Sequence, residues 1–167
     1  GVVITDLTPC ILAVNRAYTE ITGYGEAQVL GKNPKIIKSG RHDEAFYQAM
    51  WASLLTAGYW HGEIWNRRKN GEIYPQWLTI STVFNDRQEP CNYVGVFTDI
   101  TQIKQSEARL SHLAHYDPLT GLPNRLLAQS RLHHAIERAQ RHQHRVATLY
   151  FDLDRFKNIN DSLGHPV

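Results

Sequence analysis

The 167 residues allow one domain of ordinary size with something left over, and the 42% hydrophobic and 20% charged content is that of a soluble globular protein. Net charge is +2 with no Lys/Arg block, which argues against nucleic acid as a partner. No apolar run approaches membrane-spanning length and no signal peptide opens the chain. The two cysteines, Cys10 and Cys91, are too few for a disulfide framework and match no metal spacing. A reducing, cytoplasmic setting is therefore expected, any membrane anchor of the parent protein lying elsewhere.

"GVVITD" and "ILAVN" are short β-rich runs split by "LTP", which predicts an opening hairpin. "NRAYTEITGY" and "EAQVLG" read as short helical turns. "DEAFYQAMWASLLTAG" carries apolar residues at helical spacing, with Asp43 as N-cap and Gly58 as stop. Three strands follow: "YWHGEIWNRRK", "IYPQWLTISTVF" and "CNYVGVFTDI". The first two are joined through Asn70-Gly71, a strong hairpin signal. Long antiparallel strands with small helices make residues 1–100 an α+β domain.

"DITQIKQSEARLSHLAHY" has neither Gly nor Pro, and Asp99 with Gln102 can form a capping box, so a helix is expected from there. Ile103 and Leu110 fall seven apart, with Leu113 alongside, a thin heptad stripe. "YDPLTGLPNR" breaks this helix, "RLLAQSRLHHAIERAQ" begins another, and "RVATLYFDLD" reads as a buried strand. His133, His134, His142 and His144 read as a solvated face without an i,i+4 carboxylate or cysteine partner.

The first part resembles a PAS domain with its trailing PAC segment. The resemblance is carried by "VVITD", "VNRAYTEITGY", "VLGKNP", "WHGEIWNRRKNGEIYPQWLTIS" and "YVGVFTDIT". "DPLTGLPNR" and "FDLDRFKNINDSLGH" resemble the N-terminal part of a GGDEF domain, the diguanylate cyclase fold. These resemblances imply a PAS/PAC sensor with a five-stranded antiparallel sheet over 1–100, a helical signalling linker at 101–115, and an incomplete α/β GGDEF part over 116–167. They imply a bacterial-type parent protein that makes cyclic di-GMP from two GTP as a homodimer. The alternative is an interaction module attached to a degenerate GGDEF domain.

The GGDEF resemblance implies that Asp152 and the Leu153 carbonyl hold Mg²⁺, as hard cations require. Phe156 and Lys157 would present backbone N–H groups to the GTP phosphates. Asn160 would contact guanine, with Asp161, Ser162 and His165 beside it. The Gly-Gly-Asp-Glu-Phe signature is not in the sequence, so the second acidic ligand of a two-metal site is missing and these residues are expected not to catalyse.

The PAS resemblance implies a ligand space between the sheet and the small helices. Asn66 and Gln76 match the two amides that bond the flavin edge in the light-sensing branch of the family. By strand alternation, Trp60, Ile64, Asn66, Tyr74, Gln76, Leu78 and Ile80 should then point inward. Asn15 and Asn33 are candidates at the mouth. Pro34 stands where that branch has its adduct-forming cysteine and Phe97 where it has its responsive glutamine, which excludes light sensing. FAD as a redox cofactor, another small-molecule ligand, and an unliganded dimerising domain all stay open. Haem would need His42, which otherwise reads as an exposed helix-start residue. The same alternation turns Trp65, Trp77, Val94 and Val96 outward, with Thr79 between, and Ile103 and Leu110 emerge beside them as a proposed dimer surface.

Overall fold

The computed structural model describes residues 1–152 and Asp154. Two compact units divide the chain, Gly1–Arg109 and Leu110–Val167. The first is built on a five-stranded antiparallel sheet. Strands β1 (Val2–Thr5) and β2 (Ile11–Val14) form the opening hairpin; β3 (Tyr59–Arg67), β4 (Ile73–Phe84) and β5 (Pro90–Asp99) form the longer part. The spatial order β2-β1-β5-β4-β3 places the last strand at the centre, between the two hairpins.

Helices α1 (Arg16–Thr22) and α2 (Glu26–Val29), a 3-10 turn (Pro34–Ile37) and α3 (Glu44–Ala57) fill the connection from β2 to β3. Three of these four starts are fixed by a polar side chain, α2 beginning instead at Gly25. Asn15 Oδ1 accepts from the Tyr18 N–H, Asn33 from Lys35 and Asp43 from Phe46, so orphan amides at the helix ends are satisfied locally. A core of Ile11, Tyr18, Val29 and Phe97 forms between α1, α2 and the sheet. Burial of that face, rather than intrinsic propensity, holds such short helices.

Gly58 ends α3 at φ +79°, and a Cβ there would meet nothing within 4 Å. Its cost would be backbone alone. Gly58→Ala should therefore destabilise the unit by about 1 kcal/mol, measured as a lower denaturant midpoint with unchanged slope. A fall several times larger would mean that the helix end resists the substitution through packing as well as through its backbone.

Helix α4 (Thr101–His115) follows β5 after one residue. Asp99 does not form the expected capping box: its Oδ1 accepts from the Thr101 N–H at 2.8 Å, while its other oxygen takes Arg68. The distant guanidinium competes for the carboxylate that local spacing assigns to Gln102.

In the second unit, "DPLTGLPN" is a self-bonded turn. Asp117 Oδ1 accepts from the Leu119 and Thr120 amides and the Thr120 hydroxyl, and Asn124 both caps α5 (Arg125–Arg141) and donates to the Ala114 carbonyl. The strand expected at "RVATLYFDLD" is not formed over its described residues; Leu149, Tyr150 and Phe151 are exposed. No strand among the described residues pairs with it, and an extended segment cannot satisfy its backbone alone. Contrary to the expected unpaired histidines, His133 and Glu137 form an i,i+4 pair at 3.3 Å, on the surface.

Candidate functional site

The concave face of the sheet and the helices enclose a cavity of about 860 Å³. Small-molecule and cofactor sites span roughly 300–1,000 Å³, so this space suits a ligand of cofactor size. Ile64, Asn66, Gln76, Leu78, Ile80 and Phe97 line it from the sheet; Tyr18, Tyr47 and Met50 from the helices; Asn33, Pro34, Lys35 and Lys38 from the 3-10 turn. Neither free cysteine is among its lining residues.

Asn66 and Gln76 are 5% and 1% exposed and both face this space, one on β3 and one on β4. The Tyr74 hydroxyl donates to Gln76 Oε1 at 2.9 Å, which leaves the Gln76 NH₂ as the end offered to the cavity. Burial holds the Tyr74 phenol far above its usual range, so it remains a donor. Arg68 stacks on the Tyr74 ring at 3.9 Å, and its guanidinium also reaches the Ile21 carbonyl, Glu72 and Asp99.

Asn15 does not belong to the cavity. It is exposed, lies outside the lining, and its Oδ1 takes both the Val2 and Tyr18 amides. The N-cap signal in "NRAYTE" points to that role. Trp60 has the inward parity but sits beyond the cavity, its ring edge-on to Phe46 of α3 at 5.9 Å. Asn33 is at the mouth, exposed, with its oxygen bonded to the Lys35 amide.

His42 is half-buried rather than exposed. Its Nε2 accepts the Trp65 N–H at 2.9 Å and its ring stacks on Phe46, so the nitrogen a haem iron would need is already bonded. Burial first, then Arg41, push its pKa down and keep it the neutral acceptor.

On the convex face, Trp77 and Val96 are 48% and 49% exposed, with His61 beside the Trp77 ring. Val94 is half-buried, and Trp65 carries the Arg41 guanidinium 3.8 Å above its ring. Residues 102–109 of α4, including Ile103, are exposed, and so is Leu110. In the second unit, Asp152 is exposed in an irregular segment, and the described residues contain no cluster of three or more metal-ligating side chains. Leu153, Phe156, Lys157, Asn160, Asp161, Ser162 and His165 lie outside the described residues.

The family profile for the PAS domain matches residues 1–102, and that for the diguanylate cyclase GGDEF domain matches residues 114–167. A nitrogen fixation regulatory protein of Klebsiella oxytoca is 34% identical over 107 residues, 64% of this chain and 22% of its own length. Diguanylate cyclase TpbB of Pseudomonas aeruginosa is 47% identical over 64 residues, 38% of this chain and 15% of its own. Cyclic di-GMP phosphodiesterase PdeR of Escherichia coli is 30% identical over 166 residues, 99% of this chain and 25% of its own. The chain thus spans a quarter or less of each of these relatives. Among solved structures, a PAS domain of Colwellia psychrerythraea superposes with a TM-score of 0.57 at 23% identity, over 60% of this chain and 86% of that one. The α+β reading with a five-stranded antiparallel sheet is the fold observed.

Proposed function

The chain belongs to the PAS domain family and runs on into a GGDEF segment, and from that premise we propose that it is the sensing and relay part of a cyclic di-GMP signalling protein. Its sensor cavity takes a flavin of the FAD type. The observation that carries the flavin reading is the pair of nearly fully buried amides, Asn66 and Gln76, facing a cavity of about 860 Å³. Tyr74 takes the Gln76 oxygen, but the Gln76 NH₂ and the Asn66 amide bond no other side chain among the described residues. An apolar occupant would desolvate each at a cost of about 1–3 kcal/mol, which is the physical reason to expect a polar one. A bound flavin would supply two-electron redox chemistry as the sensed variable. No thiol lines the cavity, and Pro34 and Phe97 offer neither nucleophile nor amide, so a photochemical adduct has no partner there.

The relay starts from the same amides. Gln76 pairs in register with Asp99, and the Pro75 carbonyl accepts the Ile100 N–H one residue before α4. Tyr74, Arg68 and Asp99 link Gln76 to the Thr101 amide through side chains as well. Residues 101–115 serve as the signalling linker. We also propose a homodimer through the convex face around Trp77 and Val96, in the reducing cytoplasm. Cyclic di-GMP synthesis from two GTP with Mg²⁺ is proposed for the whole protein. These residues carry only the Asp152 side of the two-metal clamp that such chemistry needs, and turnover is not expected of them alone. A cofactor-free PAS module that only pairs proteins is the second reading, favoured by the same exposed convex face.

The absorbance spectrum of the purified protein tests the flavin reading. A yellow protein is expected, and Asn66→Leu should weaken FAD retention by about tenfold, the loss of one or two ligand hydrogen bonds. Illumination should leave no long-lived adduct. A colourless protein that also refuses added FAD would sink the flavin reading and leave the pairing module.

A further inference from the structure

The segment between the 3-10 turn and α3, residues 38–42, runs along the outer edge of β3, the last strand of the sheet. Lys38 forms a single antiparallel bridge with Asn66. Both main-chain polar groups of Trp65 are then taken by side chains of this segment. The Ser39 hydroxyl donates to the Trp65 carbonyl, and His42 Nε2 accepts the Trp65 N–H at 2.9 Å. Arg67 of β3 donates in return to the Ser39 carbonyl, and Arg41 lies 3.8 Å over the Trp65 ring. An edge strand needs such cover, because its free N–H and C=O groups invite other strands. The segment also joins two walls of the cavity, with Ile37 and Lys38 lining it before and Glu44 and Tyr47 after.

Hydroxyl, guanidinium and main-chain groups keep their protons across the physiological range, but imidazole does not. A backbone N–H can donate to Nε2 only while that nitrogen is bare, since imidazolium has two donors and no acceptor. The charged and titratable groups about the ring come from three sides. Arg41 and Asp43 are on its own segment, and Tyr47 of α3 has the Lys38 ammonium against its ring. Glu63 of β3 is the third, and Lys104 of α4 holds it at 2.7 Å. Burial and Arg41 outweigh the two carboxylates and favour the neutral ring in the fold. The stability from this bond is therefore present above the ordinary value of 6.5 and is lost as pH falls through the lower folded value.

We propose that His42 is a proton-operated latch: acid turns its Nε2 from acceptor to donor, frees the Trp65 N–H, and releases residues 38–42 from the edge of β3. The release bares that edge and loosens the cavity wall beside Asn66, giving the sensor unit acid as a second input. It holds whatever ligand the cavity takes.

The test is amide exchange at Trp65 and at Arg41, whose N–H bonds the Ser39 hydroxyl, between about pH 8 and 5. Each rate is divided by its intrinsic rate at that pH, in wild type and in His42→Gln, which keeps an acceptor oxygen but does not titrate. Wild type should lose protection by about three- to tenfold toward pH 5, the worth of one net hydrogen bond, while His42→Gln stays flat. A wild type that keeps Trp65 protected, or an equal loss in His42→Gln, would overturn the latch. If the variant does not fold, the wild-type ring resonances decide instead. His42 should titrate below 6.5, with the Trp65 amide shift following at the same midpoint. A His42 midpoint at or above that value, or a Trp65 amide that ignores it, would equally end the proposal.

Discussion

Arg68→Met should lower the stability of the sensor unit by about 2–3 kcal/mol, below the 3–5 typical of a fully buried ion pair because both partners retain some exposure. For a unit of this size that is a fall in melting temperature of roughly 10 °C or more. The Arg68 side chain is 15% exposed and has four attachments: the Tyr74 ring, the Ile21 carbonyl, Glu72 and Asp99. Methionine keeps most of the length and the contact with the ring but removes the charge. The Asp99 carboxylate, itself 26% exposed, is then left beside a buried phenol with only the bond from Thr101.

The sign of the pH effect follows from Asp99. Burial opposes its ionisation, but bonds from Thr101 and from Arg68 outweigh that and hold its pKa below the ordinary 3.8. A depressed carboxylate contributes stability that is present above the unfolded pKa and is lost as pH falls through the folded one. The gap between wild type and Arg68→Met should therefore be widest near neutral pH and shrink below about pH 4. A gap that persists unchanged into strong acid would assign the loss to packing. Because Asp99 also accepts the Thr101 amide at the start of α4, the same variant should loosen that first turn, seen as faster amide exchange at Thr101 and Gln102.

How far the sequence could be read depended on whether the interaction was periodic or distant. Strand alternation has a period of two, so placing Asn66 inward fixes Ile64 on the same strand and turns Trp65 away, and the cavity lining agrees. Periodicity gives the face but not the reach, which is why Trp60 has the right parity and still lies under Phe46. Asn15 is ambiguous in the string, as either a helix cap or a ligand amide; the two amides it accepts decide for the cap. Arg68 and Asp99 are 31 residues apart, and nothing local announces their pairing against the capping box that Gln102 suggests. The segment around Asp152 shows the opposite limit: a local pattern that is right for a strand cannot supply the neighbour that a strand needs.

Trp77→Glu should raise the dissociation constant of the proposed dimer by about a hundredfold or more, because a central tryptophan in an interface typically contributes 2 kcal/mol or more. A two-fold interface doubles the insult, since each partner brings the same substitution to the same patch. Trp77 is a fitting anchor. It stands on β4 near the middle of the sheet, pairs in register with Glu63 and Thr98, and is half-exposed together with Val96. The chain's own linker helix does not cover it: Lys104 of α4 reaches Glu63 at 2.7 Å, yet residues 102–109 remain exposed and so does the tryptophan. Trp65 is a weaker candidate, since Arg41 already occupies its face. The substitution points away from the cavity and leaves the strand pairing in place, so FAD uptake and melting temperature should change little. Light scattering should show wild type as a dimer and Trp77→Glu as a monomer, with Leu55→Glu, equally apolar in the native chain but on α3, still dimeric. A wild type that stays monomeric at high concentration would remove the interface, and the convex face would then need another partner.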